Sequence, residues 1–150
     1  MNNISSNLSY LGQLKNLICN IDRVKLRKIC AYYYKKKKGY VYIMSAIDNL
    51  VIYKIGNAID VDKRYRILKK EQKVKDIISS IKALESEKTE RILHLIFKPF
   101  NEKRFVTKNR TEWFNVSHQI IELALDYIYQ LTDKYDGNNL YEKILSCEFH

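Results

Sequence analysis

At 150 residues, with 46% hydrophobic and 29% charged content, the chain has the size and balance of one folded domain with a modest core. Its apolar runs are too short to cross a bilayer, no charged-then-apolar leader opens it, and Cys19, Cys30 and Cys147 lack CxxC spacing. The expectation is therefore an intracellular protein, cytoplasmic or nuclear, not secreted, with no membrane association and with free thiols of no assigned role. The net charge of +10 is uneven: residues 1–38 hold nine Lys/Arg against one Asp, residues 39–116 sixteen against ten acids, and residues 117–150 two against six. A basic front and middle with an acidic tail point to a polyanion bound on one side, nucleic acid first.

From Asn7 to about Tyr34, Leu8, Leu11, Leu14, Ile18, Ile21, Val24, Leu26 and Ile29 recur at helical steps of three or four. This predicts one long or two short amphipathic helices, with Asp22 able to interrupt or recap them. Lys35-Lys36-Lys37-Lys38-Gly39 then reads as a linker, because the lysines repel one another and glycine can end a helix. Residues 40–45 and 51–55, rich in Tyr, Val and Ile, predict an antiparallel hairpin turning through residues 46–50. After Gly56 the period changes: Asp60 or Asp62 can open a helix whose buried face is Val61, Tyr65 and Leu68. Lys75 to Ala83 predicts a third strand, and Leu84 to Phe97 a helix that Pro99 stops. Residues 101–110 read as a basic loop. A last long helix is expected from Ser117 to about Leu131, with one short helix in the tail.

Several residues on these elements can carry chemistry. The helical spacing of Arg64, three after Val61 and four before Leu68, aims it at the side that packs on the hairpin. A guanidinium there needs an anion, either an internal carboxylate or a nucleic-acid phosphate. Glu90 shares a helix face with Leu93, His94 and Phe97, while Glu85 and Glu87 compete with it as candidate ligands. Magnesium often takes one or two carboxylates and completes its shell with water and substrate phosphate, so one glutamate suffices. His94 on an apolar face reads first as a hydrogen-bonded core residue. Tyr40 and Tyr42 project from one strand face, either packing with their hydroxyls at the rim or orienting an attacking water.

In order, Tyr40-Val41-Tyr42, Lys54-Ile55-Gly56, Arg64, Glu90 with His94, Lys98-Pro99-Phe100-Asn101 and Glu112-Trp113-Phe114 resemble the GIY-YIG endonuclease superfamily. The nearest likeness is to its phage- and virus-associated branch, whose second motif is written KIG. Residues 39–116 carry the resemblance. It implies an α+β fold with a small three-stranded antiparallel sheet flanked by helices, and cleavage of a DNA phosphodiester with one Mg2+ or Mn2+ ion. Tyr42 would activate or position water, Arg64 would stabilise charge on phosphate and Glu90 would hold the metal, with Lys54, Tyr40 and His94 in supporting catalytic places. The chain departs from the pattern where Tyr40 replaces the first glycine and Lys54 replaces a tyrosine.

The expected division is a basic helical appendage over 1–38, a nuclease domain over 39–116 and a C-terminal helical segment over 117–150 packing on it. Lys35, Lys36, Lys37, Lys38, Lys63 and Arg104 are the expected DNA contacts, with no small-molecule cofactor, and the sequence leaves the oligomeric state open. The alternative to a nuclease is a catalytically inactive DNA-binding module on the same fold. A third reading is an interaction protein built on its terminal helices.

Overall fold

Alternating side chains give the central sheet two apolar faces, and each is covered by a different set of helices. The computed structural model describes residues 3–35, 39–48, 51–103 and 112–149. The predicted hairpin forms from β1 (Gly39–Ala46) and β2 (Tyr53–Ala58), which pair antiparallel with Tyr42 opposite Gly56 and Ile43 opposite Ile55. The predicted third strand, β3 (Val74–Ala83), joins the other edge of β1. Its register shifts around Met44, where Ser45 Oγ accepts from Asp76 N and donates to Asp76 O, so the hydroxyl substitutes for the interrupted ladder. The antiparallel α+β architecture agrees with expectation but extends beyond three strands. β5 (Trp113–Phe114) adds to β2, and β4 (Asn101–Glu102) adds to β5, giving the order β3-β1-β2-β5-β4. Two-residue strands carry no readable alternation, so periodicity cannot announce them.

The helices start where their caps stand. Asp22 divides the N-terminal segment into α1 (Asn3–Cys19) and α2 (Arg23–Ala31), and its side chain accepts from Lys25 N. Asp60 caps α3 (Val61–Lys70) by accepting from Lys63 N, and Ser117 caps α5 (His118–Lys134) by accepting from Gln119 N. Between them α4 (Ser86–Ile96) runs into a single 3-10 turn, Lys98–Phe100, that holds Pro99. The tail forms α6 (Gly137–Ser146).

On one sheet face Tyr42, Met44 and Ala46 of β1 meet Ile52, Val74, Trp113 and, from α3, Leu68 with Val61 and Tyr65. On the other, Val41, Ile43, Tyr53 and Ile55 join Ile92 and Leu93 of α4, Phe97 at its C-terminal end, and the buried sides of α5 and α6. Leu14, Ile18, Leu26 and Cys30 belong to this same larger core, so α1 and α2 are packed against the sheet-bearing part of the molecule. Lys88 Nζ donates to Cys30 O at 3.2 Å, tying α2 to α4, and the Thr89 and Thr132 hydroxyls meet at 2.7 Å between α4 and α5. Among the described residues, no helix is long and apolar enough to cross a membrane.

Candidate functional site

The site lies where β5 stops covering the edge of β2. Ile55 turns both its backbone groups toward that edge. Its N–H donates to Glu112 O at 3.0 Å, and its carbonyl accepts from His94 Nε2 at 2.8 Å. Beyond Ile55, polar side chains from both sheet faces converge on the uncovered edge.

From the α3 face comes Tyr42, 1% exposed, directly across from Gly56. A Cβ at position 56 would overlap the Tyr42 hydroxyl and ring carbons, so glycine is what lets the phenol lie over β2. Arg64 hydrogen-bonds the Tyr42 hydroxyl, the guanidinium donating and the phenol oxygen accepting. Burial, the foremost cause, pushes the Tyr42 phenol up to about 12, while Arg64 opposes the shift and the charges of Glu112 and Glu90 add to it. The hydroxyl is therefore the species present at neutral pH.

Arg64 does not lie on the packed side of its helix. It is exposed, while Leu68 is buried and Val61 and Tyr65 are partly so. A long side chain starting at the rim of the apolar stripe reaches the phenol without burying its charge, which corrects its predicted burial, and that charge also acts on the Glu112 carboxyl. Lys63, Lys69 and Lys70 of the same helix are exposed as well.

Lys54 is 6% exposed and forms an ion pair with Glu112, with its ammonium 5.8 Å from the centre of the Trp113 ring. The pairing follows from register, since Lys54 lies opposite Trp113 in the β2–β5 ladder. The Lys54 charge and hydrogen bond outweigh burial and hold the Glu112 carboxyl below its ordinary value.

From the opposite face α4 supplies Glu90, 7% exposed, with Asn57 Nδ2 donating to its Oε2. Of the three competing glutamates, Glu90 is the buried one; Glu87 is turned outward and bonded to Arg91 at 3.2 Å. Burial first and the Glu112 carboxylate second raise the Glu90 carboxyl to about 7, although Asn57 and Lys54 pull it down. His94 Nε2 is 3.5 Å from Glu90 Oε1. A carbonyl can only accept, so its bond to Ile55 O fixes the proton on Nε2, and burial depresses the imidazole's pKa. His94 thus anchors α4 to β2 through the backbone.

Tyr40 lies on the Tyr42 side of β1, 36% exposed and opposite Ala58 at the outer end of the hairpin. Lys35 is exposed near the end of the N-terminal segment, and Lys63 is exposed on α3. Lys36, Lys37, Lys38 and Arg104 lie outside the described residues, as does most of the predicted basic loop.

The sequence reading assigns no role to two members of this cluster: it does not single out Asn57, and it takes Glu112 only as the start of the Glu112-Trp113-Phe114 run. Strand alternation puts Asn57 on the same face as Ile55, toward α4, which is a signal available in the sequence. Glu112 precedes a two-residue strand, and its partnership with Lys54 is fixed by a pairing across 58 residues of chain. Trp113 and Phe114, adjacent in β5, divide between the two apolar faces.

Among the described residues no group of three or more His, Cys, Asp or Glu side chains is placed to enclose a metal ion. The donor set is instead one buried, poorly compensated carboxylate with a second nearby. That suits a hard dication sharing its shell with water and phosphate oxygens.

The T5orf172 domain matches residues 39–129, a phage-associated domain of the GIY-YIG-like, homing-endonuclease-related type. The match covers the whole described cluster and continues into α5. No curated protein and no solved structure matches the chain.

Proposed function

The chain belongs to the T5orf172 domain family, and from that premise we propose that it is a magnesium-dependent DNA endonuclease of the GIY-YIG type, with Lys54-Ile55-Gly56 as its second motif. The observation that carries this reading is the convergence of Tyr42, Arg64, Glu90, His94 and Glu112, drawn from distant stretches, at the uncovered edge of β2.

Each group has a distinct task. The exposed Arg64 guanidinium binds the scissile phosphate and stabilises the charge that develops on its oxygens, while its bond to Tyr42 fixes the phenol. Tyr42, kept as a hydroxyl by burial, orients the attacking water through the hydrogen-bonding capacity that Arg64 leaves free. Glu90 would hold a Mg2+ or Mn2+ ion, which would supply charge neutralisation at the phosphate. Asn57 steers the Glu90 carboxylate, and His94 is a positioning residue because its Nε2 is committed to Ile55 O. The Lys54–Glu112 pair carries no net charge and ties β2 to the start of β5 beside the site.

The test is nicking of supercoiled DNA by the purified chain with and without Mg2+, alongside Arg64→Ala and Glu90→Ala. Each substitution should lower the rate by about 10²–10³, the scale set by removing one transition-state charge contact. Nicking by both variants at the rate of the unaltered chain would overturn the proposal.

One observation favours a second reading, a binding module that has lost cleavage. Lys54, which stands at the tyrosine of the second motif, has its ammonium engaged by Glu112. That reading predicts salt-sensitive DNA binding with no Mg2+-dependent product from the unaltered protein.

A further inference from the structure

Behind His94 the molecule carries a basic groove that the catalytic reading does not use. Arg91, His94, Leu95 and Lys98 follow one another at steps of three, one and three, a single stripe of α4 that continues into the 3-10 turn. On α2, Lys25, Lys28 and Ile29 form the matching stripe. The two stripes face each other across a groove of about 390 Å³, with Ile29 and Leu95 supplying its apolar surface and four cations its rim.

Its charge is one-sided, because no carboxylate is among the lining residues. Lys25 and Lys98 line the same groove, and the neighbouring Lys25 pushes Lys98 below the ordinary lysine range. Asp22 is the carboxylate whose charge Lys98 senses, and its Oδ1 already accepts from Lys25 N. Two ammonium groups held this close repel unless an anion stands between them. Arg91 carries an exposed i,i+4 pair with Glu87, a bond worth little and easily exchanged for phosphate.

The groove is rigidly placed relative to the cluster at β2. Lys88 Nζ fastens the last turn of α2 to α4 through Cys30 O, and Arg27 turns to the other side, its guanidinium 4.4 Å from the Tyr141 ring centre. His94 borders both places: its ring lines the groove while its Nε2 reaches Ile55 O and stands 3.5 Å from Glu90.

We infer that the α2/α4 groove is a second DNA-backbone site, in which Lys25, Lys28, Arg91 and Lys98 grip a phosphate flanking the one at Arg64. The inference rests on the nucleic-acid reading above and adds to it a contact from α2, which lies outside the matched residues 39–129. The N-terminal helices thereby become part of the binding surface through their folded face.

The test is fluorescence anisotropy of a labelled duplex in EDTA over a range of salt concentrations. It compares the unaltered chain, the double variant Lys25→Gln/Lys98→Gln and a charge-matched control, Lys134→Gln/Lys143→Gln, on α5 and α6. Each neutralised phosphate contributes about 0.9 to the log–log salt slope, so losing the one phosphate held in the groove should make the variant shallower by about 0.9 and leave the control unchanged. Thermal melts check that all three are folded. Equal slopes for the groove variant and the unaltered chain, or equal losses in groove variant and control, would overturn the groove while leaving the nuclease reading in place. Absence of duplex binding by the unaltered chain would instead remove the nucleic-acid reading itself.

Discussion

The metal-free protein should carry a pH-dependent weakness located at Glu90. Its carboxyl titrates at about 7 in the fold against 4.5 for a free glutamate, chiefly because it is buried and next because Glu112 is near. Between those values the folded chain binds more protons than the unfolded chain, so stability falls as pH rises. The contribution of the protonated carboxyl is complete below 4.5 and is gone once pH has passed about 7. On a residue 7% exposed, a shift of this size corresponds to about 3 kcal/mol. His94 acts in the opposite sense. Its depressed pKa gives a contribution that is full above the ordinary histidine value of 6.5 and is lost as pH falls through its folded value. Glu90→Gln separates the two, because the glutamine carbonyl still accepts from Asn57 but cannot ionise. Urea unfolding in EDTA between about pH 5 and 8 should show the variant gaining on the unaltered chain by about 3 kcal/mol across the window. Added Mg2+ at the alkaline end should stabilise the unaltered chain and not the variant, since a ligand of the folded state stabilises by mass action. Parallel pH profiles for the two proteins would refute the account of Glu90 as a buried, strained carboxylate.

Gly56→Ala should destabilise by about 1–3 kcal/mol, the usual range for overpacking, and should lower cleavage as well, because its Cβ would displace the Tyr42 phenol from Arg64. Thermal melts and plasmid nicking read the two effects, and an unchanged rate would mean the phenol is not needed at that place. Lys54→Met leaves Glu112 without its partner and should cost about 2–3 kcal/mol, below the 3–5 of a fully buried pair because the Glu112 side chain is a quarter exposed. Adding Glu112→Gln to that variant should restore most of the loss in urea unfolding, whereas two additive losses would show the residues to be energetically independent.

The sequence by itself determined the helices, the hairpin and the third strand in their order, but not the two short strands β4 and β5. Asp22, Asp60 and Ser117 cap the helices they precede, and the alternation through Tyr42 and Met44 on one side and Val41 and Ile43 on the other assigns the two faces of β1. These signals are local, set by hydrogen bonds and side-chain directions within a few residues, so spacing alone reveals them. Tertiary structure decided what no local pattern records. The exposed path of Arg64 to Tyr42, the pairing of Lys54 with Glu112, the hold of Asn57 on Glu90 and the opposition of Lys25 to Lys98 each join residues far apart in the chain. Which groups become neighbours depends on how strands register and helices pack, and the electrostatic character of a side chain depends on those neighbours and on exclusion of water.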